Sequence, residues 1–368
     1  MTTSPKVGWQ PVDPLVSHSI EVLKAGQAPS GAFIASPSFT VYRYAWLRDG
    51  AFCAHALDAA GERDAAAAWH AWVVRSIEAH RELIDSATRR VRDGETPPPE
   101  VMPPARYTLD GGLEHPADDD PWPNFQVDGY GMWLWSLESY LGAGRIRADL
   151  APTVELVAAY LAETWRLKCF NCWEEFDGGE HASTLGAVYA GLAAAARLLG
   201  ELRWRSAAEA VHAELLERYV SGGRFTRGAS DSRLDGSLLW LSIPFGVLDP
   251  RDPVVASTVE AVRNQLRGPG GGVYRFPGDT YFGGGEWLLL TSSLAWHDAV
   301  VCNEEHAAAA QQWVRAQALP NGDLPEQVTG DAQDTAMIEP WVRRWGAVAT
   351  PLLWSHAMYL IAESARAR

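Results

Sequence analysis

Positive charge is in short supply in this chain. Its 368 residues carry 31 Lys and Arg against 46 Asp and Glu, a formal charge of −15 with a pI near 5.1. Nucleic acid, whose phosphates call for a basic stripe, is excluded as a partner, and an anionic membrane surface is excluded on the same ground. Long apolar runs are also missing. The N-terminus M-T-T-S-P-K-V-G-W-Q lacks the apolar core of a secretory leader, and no stretch approaches the roughly 20 apolar residues of a membrane span. The expected location is the cytoplasm. Cysteine is scarce too: Cys53, Cys169, Cys172 and Cys302 are too few for a disulfide scaffold of this size. Cys169 and Cys172 form a lone C-x-x-C with no second pair and no thioredoxin-like context, so reduced structural thiols are expected rather than a metal or redox site.

Tryptophan is abundant instead, with 17 copies where average usage predicts roughly a quarter to a third of that. Many belong in a core, but exposed indoles are also the planes on which sugar rings stack. At 47% hydrophobic the chain can bury a large core, as one big domain or two smaller ones. One stretch stands out, Cys169 to Gly179, C-F-N-C-W-E-E-F-D-G-G, which sets Trp173 before two adjacent acids, Glu174 and Glu175, between helical segments. A carboxyl beside an indole is partly desolvated, keeps its proton nearer neutral pH and can serve as a general acid. Equally, Trp173 could staple a helix start whose positive end favours the acids.

Apolar periodicity with Gly and Pro punctuation predicts helices over 15–26, 48–61, 64–91, 127–143, 150–168, 182–199, 202–220, 235–244, 252–267, 285–301, 303–318 and 350–366, with little strand. The links alternate in length. They are short after even-numbered helices and long after odd-numbered ones, over 27–47, 92–126, 169–181, 221–234, 268–284 and 319–349. Helices joined by short links pack antiparallel. Six such hairpins closed into a ring make an all-α (α/α)6 barrel with every long loop on one face.

The unusual residues fall in those loops. Loop one holds Y-R-Y-A-W-L-R-D-G (Tyr42 to Gly50), loop two P-W-P-N-F-Q-V-D-G-Y-G (Pro121 to Gly131) and loop three W-E-E. Loop five holds Y-R-F-P-G-D-T-Y-F-G-G-G-E-W (Tyr274 to Trp287), and loop six L-P-E-Q (Leu324 to Gln327). Arg48 and Asp49 can hold adjacent hydroxyls of one sugar above Trp46, or Asp49 can be a first-turn acid of its helix. Arg275 and Asp279 form a similar pair. Glycosidic cleavage needs one protonated carboxyl and one ionised carboxylate. Glu174 or Glu175 can supply the first, and Glu326, beside Pro325, is the candidate for the second.

These residues together resemble glycoside hydrolase family 15, the glucoamylase family, over nearly the whole chain. The similarity runs through G-A-F-I-A-S-P-S (Gly31 to Ser38), the W-x-R-D of Trp46 to Asp49, the Q-x-D-G of Gln126 to Gly129, W-E-E, R-F-P-G-D-T-Y with Trp287, the E-Q of Glu326 and W-S-H-A (Trp354 to Ala357). The resemblance implies one (α/α)6 catalytic domain over 1–368 and an inverting exo-α-glucosidase needing no metal or cofactor. By the same resemblance, Glu174 is the general acid and Glu326 the general base, with Tyr42 near the attacking water. Arg48 and Asp49 bind the non-reducing glucose, Glu175 and Arg275 lie around the scissile bond, and Trp122 stacks across the first subsites. Arg275 is followed by Phe276 where the family usually has tyrosine. The length leaves room for neither the β-sandwich of many bacterial relatives nor the starch-binding module of fungal ones. A short oligosaccharide is the expected partner, isomaltose by preference, and oligomeric state is left open. α,α-Trehalase and glucoamylase-like maltooligosaccharide hydrolysis are rival activities. A sugar-binding or sensing protein on the same ring is the non-enzymatic alternative, which has no need of both acids, and a phosphorolytic enzyme would leave Glu326 without a role.

Overall fold

The computed structural model describes residues 13–114, 122, 124–142, 146–175 and 179–367. The N-terminal decapeptide, Pro121, Pro123, residue 143 at the expected end of the 127–143 helix and the F-D-G that follows W-E-E lie outside them. The described chain is α1 (Pro14–Ala25), α2 (Leu47–Ala59), α3 (Arg63–Ala79), α4 (Arg81–Arg92), α5 (Asp128–Leu141), α6 (Ala151–Thr164), α7 (Ala182–Leu199) and α8 (Leu202–Arg218), followed by a 3₁₀ turn over Gly236–Leu241. It continues with α9 (Pro253–Gln265), α10 (Leu288–Val300), α11 (Glu304–Ala316), α12 (Ile338–Trp345) and α13 (Leu353–Arg366).

An inner ring closes as α2 packs on α5, α5 on α7, α7 on the 236–241 turn, that turn on α10, α10 on α13 and α13 back on α2. Its members are buried on nearly all sides, as in α13, where Leu353 to Ala362 are all buried. The outer helices bury a single stripe, as in α8 with Trp204, Ala208, Val211 and Leu215 at helical spacing. The architecture is the (α/α)6 barrel. Each long loop leads from an outer helix to the N-terminus of an inner one, so the positive ends of the inner helix dipoles meet at the loop face.

Four features depart from expectation. The helix expected over 64–91 breaks at His80. There Arg81 folds back onto Glu78 with two bonds of 2.8 and 2.7 Å, and His80 Nε2 meets the Gly111 carbonyl at 3.0 Å. The helix expected over 235–244 is only a 3₁₀ turn. Asp235 caps it through Ser237 N at 2.9 Å, and Pro244, which lacks an N–H, prevents extension. The 285–301 helix begins three residues late, because Glu286–Trp287 (β5) pairs with Gln327–Val328 (β6). Likewise β1 (Ala45–Trp46) pairs with β2 (Arg106–Tyr107), tying loop one to loop two, and β3 (Val220–Ser221) pairs with β4 (Arg224–Phe225). Loop six also carries α12, which was not expected.

At 18 residues α7 is long and apolar enough to cross a membrane, contrary to expectation. Its faces are taken by α5, α6 and α8. Glycine lets it approach closely: a Cβ on Gly131 would lie 2.2 Å from the Ala187 carbonyl oxygen, and one on Gly191 would lie 2.5 Å from the Gly131 Cα. Much of the tryptophan is core, with Trp69, Trp72, Trp133 and Trp240 fully buried. Cys53, Cys169 and Cys172 are buried free thiols, and burial pushes Cys169 up to about 12.

Candidate active site

The loop face holds a pocket of about 190 Å³ lined by Tyr42, Trp46, Arg48, Asp49, Trp122, Glu174, Glu175, Arg275, Trp287 and Glu326. The site residues implied by the resemblance are all among them, whereas Asp279, the partner proposed for Arg275, is not a lining residue and bonds to Arg275 instead. Arg48 and Asp49 stand in the first turn of α2 and both line the pocket.

Arg48 organises the floor. Its Nη1 donates to Gln126 Oε1 at 2.7 Å and to Asp128 Oδ2 at 3.3 Å, while Nη2 lies 3.7 Å from Glu174 and Nε 3.5 Å from Asp49. Burial opposes its charge, but the carboxylates of Asp128, Asp49 and Glu174 more than offset this and hold the guanidinium firmly protonated. Asp49 shares that one cation with two other acids. Burial, opposed by Arg48 and aided by Glu174, pushes its carboxyl up to about 7.

Glu174 sits at φ 63°, in the left-handed region that a residue with a Cβ adopts at a cost of about 1–3 kcal/mol. Asn171 holds this turn: its Oδ1 accepts from Trp173 N at 3.1 Å and Glu175 N at 3.0 Å, and its carbonyl accepts from Glu174 N at 2.9 Å. Glu174 Oε1 accepts from Gln126 Nε2 at 3.0 Å and from the indole N–H of Trp46. The indole against the acid is therefore Trp46, not the adjacent Trp173. Trp173 is buried and donates instead to Asp235 at 3.0 and 3.1 Å, so neither sequence expectation for it holds. Glu175 points the other way, to Arg275 Nη2 at 2.8 Å. Arg275 is also gripped by Asp279 at 2.7 and 2.6 Å, a bidentate pair that fixes the guanidinium plane.

Glu326 comes from loop six, two residues beyond Leu324, whose N–H donates to His356 Nε2 at 2.9 Å. Ser355 Oγ donates to the Pro325 carbonyl at 2.8 Å, so the W-S-H-A stretch of α13 clamps the segment that carries this acid. Tyr42 OH donates to Glu326 Oε1 at 3.1 Å and lies 3.0 Å from Tyr281 OH. Oε2 is buried and takes no hydrogen bond from the described residues. Burial pushes the carboxyl up to about 8, against the Arg275 charge and the phenols of Tyr42 and Tyr281. Tyr42, on Glu326, and Trp46, on Glu174, meet edge-on with ring centroids 5.6 Å apart. Two carboxyls on different loops, one gripped by donors and one beside phenols with an oxygen that takes no hydrogen bond from the described residues, can divide acid and base work between them.

Sequence inspection passed over several contributors. Arg106 is buried, held by Glu114 and by the Val41 carbonyl at 3.0 Å, with its guanidinium 3.9 Å from the centre of the Trp122 ring. Gln126 was noticed as a motif letter, not as the bridge between Arg48 and Glu174. Asn171 stood in plain view, and Asn three residues before a conformationally strained position is the available signal. Asp235 gave none. On α12, Trp341, Arg344 and Trp345 also line the pocket. The i, i+4 spacing of the two tryptophans was the sign of that helix.

Residues 13–320 match the family described as Glycosyl hydrolases family 15, a match that stops just short of Glu326. The chain is 39% identical over 357 residues to the isomaltose glucohydrolase of Kribbella flavida, covering 94% of this chain and 91% of that one. A glycosidase solved in complex with glucose superposes with a TM-score of 0.90 at 37% identity, over 96% of both chains. A bacterial glucoamylase complexed with acarbose shares the fold, with a TM-score of 0.75 at 20% identity, covering 96% of this chain and 55% of that one. With the pocket, its acids and the ring that carries them, these likenesses establish that the chain is a glycoside hydrolase and belongs to glycosyl hydrolases family 15.

Proposed function

We propose that the chain is an inverting exo-α-glucosidase that releases β-glucose from the non-reducing end of short α-glucosides, with isomaltose and isomaltooligosaccharides foremost. The isomaltose preference rests on the likeness to the Kribbella flavida enzyme. The observation that supports the reaction is that Glu174 and Glu326, from different loops, line one pocket, each held by a different ring of the Trp46 and Tyr42 edge-on pair. Glu174 protonates the leaving oxygen. Its donors, the Trp46 N–H and Gln126 Nε2, then stabilise the carboxylate left behind. Glu326, whose Oε2 takes no hydrogen bond from the described residues, takes the proton of the water that attacks from the other side, and Tyr42, donating to Oε1, holds the ionised base ready for it. Arg48 and Asp49 hold the terminal glucose, Glu175 and Arg275 flank the scissile bond, and Trp46, Trp122 and Trp287 supply the apolar faces. The reaction draws on no cofactor. A cytoplasmic site of action is in keeping with three buried free thiols.

Geometry of this kind requires the two carboxyls to stand about 6.5–9.5 Å apart to admit the water, against about 5–5.5 Å in an enzyme whose second acid attacks the sugar. The first glucose released from isomaltose must then be the β-anomer. Proton NMR of the anomeric region in the first minutes of reaction reads this directly, and initial α-glucose would make Glu326 a nucleophile instead.

A further inference from the structure

We propose that α12 sets the substrate length: Trp345 closes the leaving-sugar side of the pocket against Trp122, so that a disaccharide fits and a third sugar must displace Trp345. The inference rests on the glucosidase function proposed above and adds to it the chain length of the substrate.

The pocket has a floor and a rim. Arg48, Asp49 and Trp354 are buried at the floor, while Trp122, Trp341, Trp345 and Glu175 are half-buried and Arg344 is exposed at the rim. An exo-acting enzyme that grips the terminal glucose at the floor presents the leaving sugar to the rim. There the Trp345 ring stands 6.0 Å from Trp122 at 31°, 6.2 Å from Tyr281 and 5.0 Å from Trp341. A sugar ring between two indole planes needs about 7–8 Å between them, twice a carbon contact of about 3.5–4.0 Å. The Trp122 and Trp345 rings are too close to admit one.

The two sides of this closure are built differently. Trp122 lies on the Arg106 guanidinium, which Glu114 and the Val41 carbonyl hold in place, so that wall is fixed. Trp345 belongs to an eight-residue helix, too short to be stable alone. Trp341 and Trp345, one turn apart, face the pocket and the 281–283 turn, while Glu339 and Arg343 face solvent. The aromatic wall is thus what holds α12 in place, and α12 in turn holds the wall.

The test compares kcat/KM for isomaltose and isomaltotriose in wild type, Trp345→Ala and Trp345→Phe. Wild type should favour the disaccharide. Trp345→Ala should raise the trisaccharide-to-disaccharide ratio about tenfold or more, chiefly through KM for the trisaccharide, and Trp345→Phe should fall between. If Trp345→Ala does not fold, Trp345→Leu decides in the same measurement. A ratio within about twofold of wild type, or a wild type that handles both sugars equally, overturns the inference and leaves the glucosidase function standing. A wild type that releases no glucose from isomaltose, maltose or trehalose removes the proposed function and this inference with it.

Discussion

Replacing Glu326 by Gln should stabilise the protein at alkaline pH while abolishing its activity. The side chain is only 3% exposed, and burial raises its carboxyl from an ordinary 4.5 to about 8. The fold therefore favours the neutral acid. A group whose pKa is raised by folding contributes its stability fully below the unfolded value, and that stability is lost as pH rises through the folded value. The window here runs from about 4.5 to 8. A difference of 8 − 4.5 at about 1.4 kcal/mol per pKa unit amounts to at most about 5 kcal/mol above pH 8, which in a chain of this size is worth roughly ten degrees or less of Tm. Gln has the same shape, can still accept the Tyr42 phenol and does not ionise. Thermal unfolding at equal scan rates should show the Tm of Glu326→Gln gaining on wild type between pH 5 and pH 9. Asp49, itself raised to about 7, is present in both proteins and cancels. In the same protein kcat should fall by orders of magnitude, as expected for a lost proton acceptor. A Tm difference that is the same at pH 5 and pH 9, or that moves in favour of wild type, would refute the buried, raised carboxyl.

Arg48→Ala and Asp49→Ala should lower kcat/KM for isomaltose, maltose and trehalose by similar factors, since all share the terminal glucose. Arg48→Ala should also lose about 3–5 kcal/mol of stability by stranding the buried acids around it, seen as a fall in Tm that Asp49→Ala does not match. Tyr42→Phe removes a phenol that donates to Glu326 and favours its ionised form. The ascending limb of kcat/KM against pH should therefore move to higher pH. A limb that stays in place would detach Tyr42 from Glu326.

How much of this protein its sequence determined follows from the range over which each physical signal acts. Helical periodicity and turn chemistry act over a few residues, so the alternation of short and long links was enough to predict the ring and to put every long loop on one face. The acids and aromatics in those loops could be collected the same way. Contacts between loops could not. The indole N–H on Glu174 comes from Trp46, 128 residues earlier in the chain, and the anchor of Trp173 is Asp235, 62 residues later. The loops are joined by ladders of only two residues, Ala45–Trp46 with Arg106–Tyr107 and Glu286–Trp287 with Gln327–Val328, too short to show any alternation. The 64–91 segment keeps a continuous helical pattern, yet its break at His80 is set by Gly111 in another loop. Charge state is the most distant property of all. Glu326, Asp49 and Glu175 are all loop-face carboxyls in the sequence, and only the packing of the loops around them decides how much water each retains and which cation it shares.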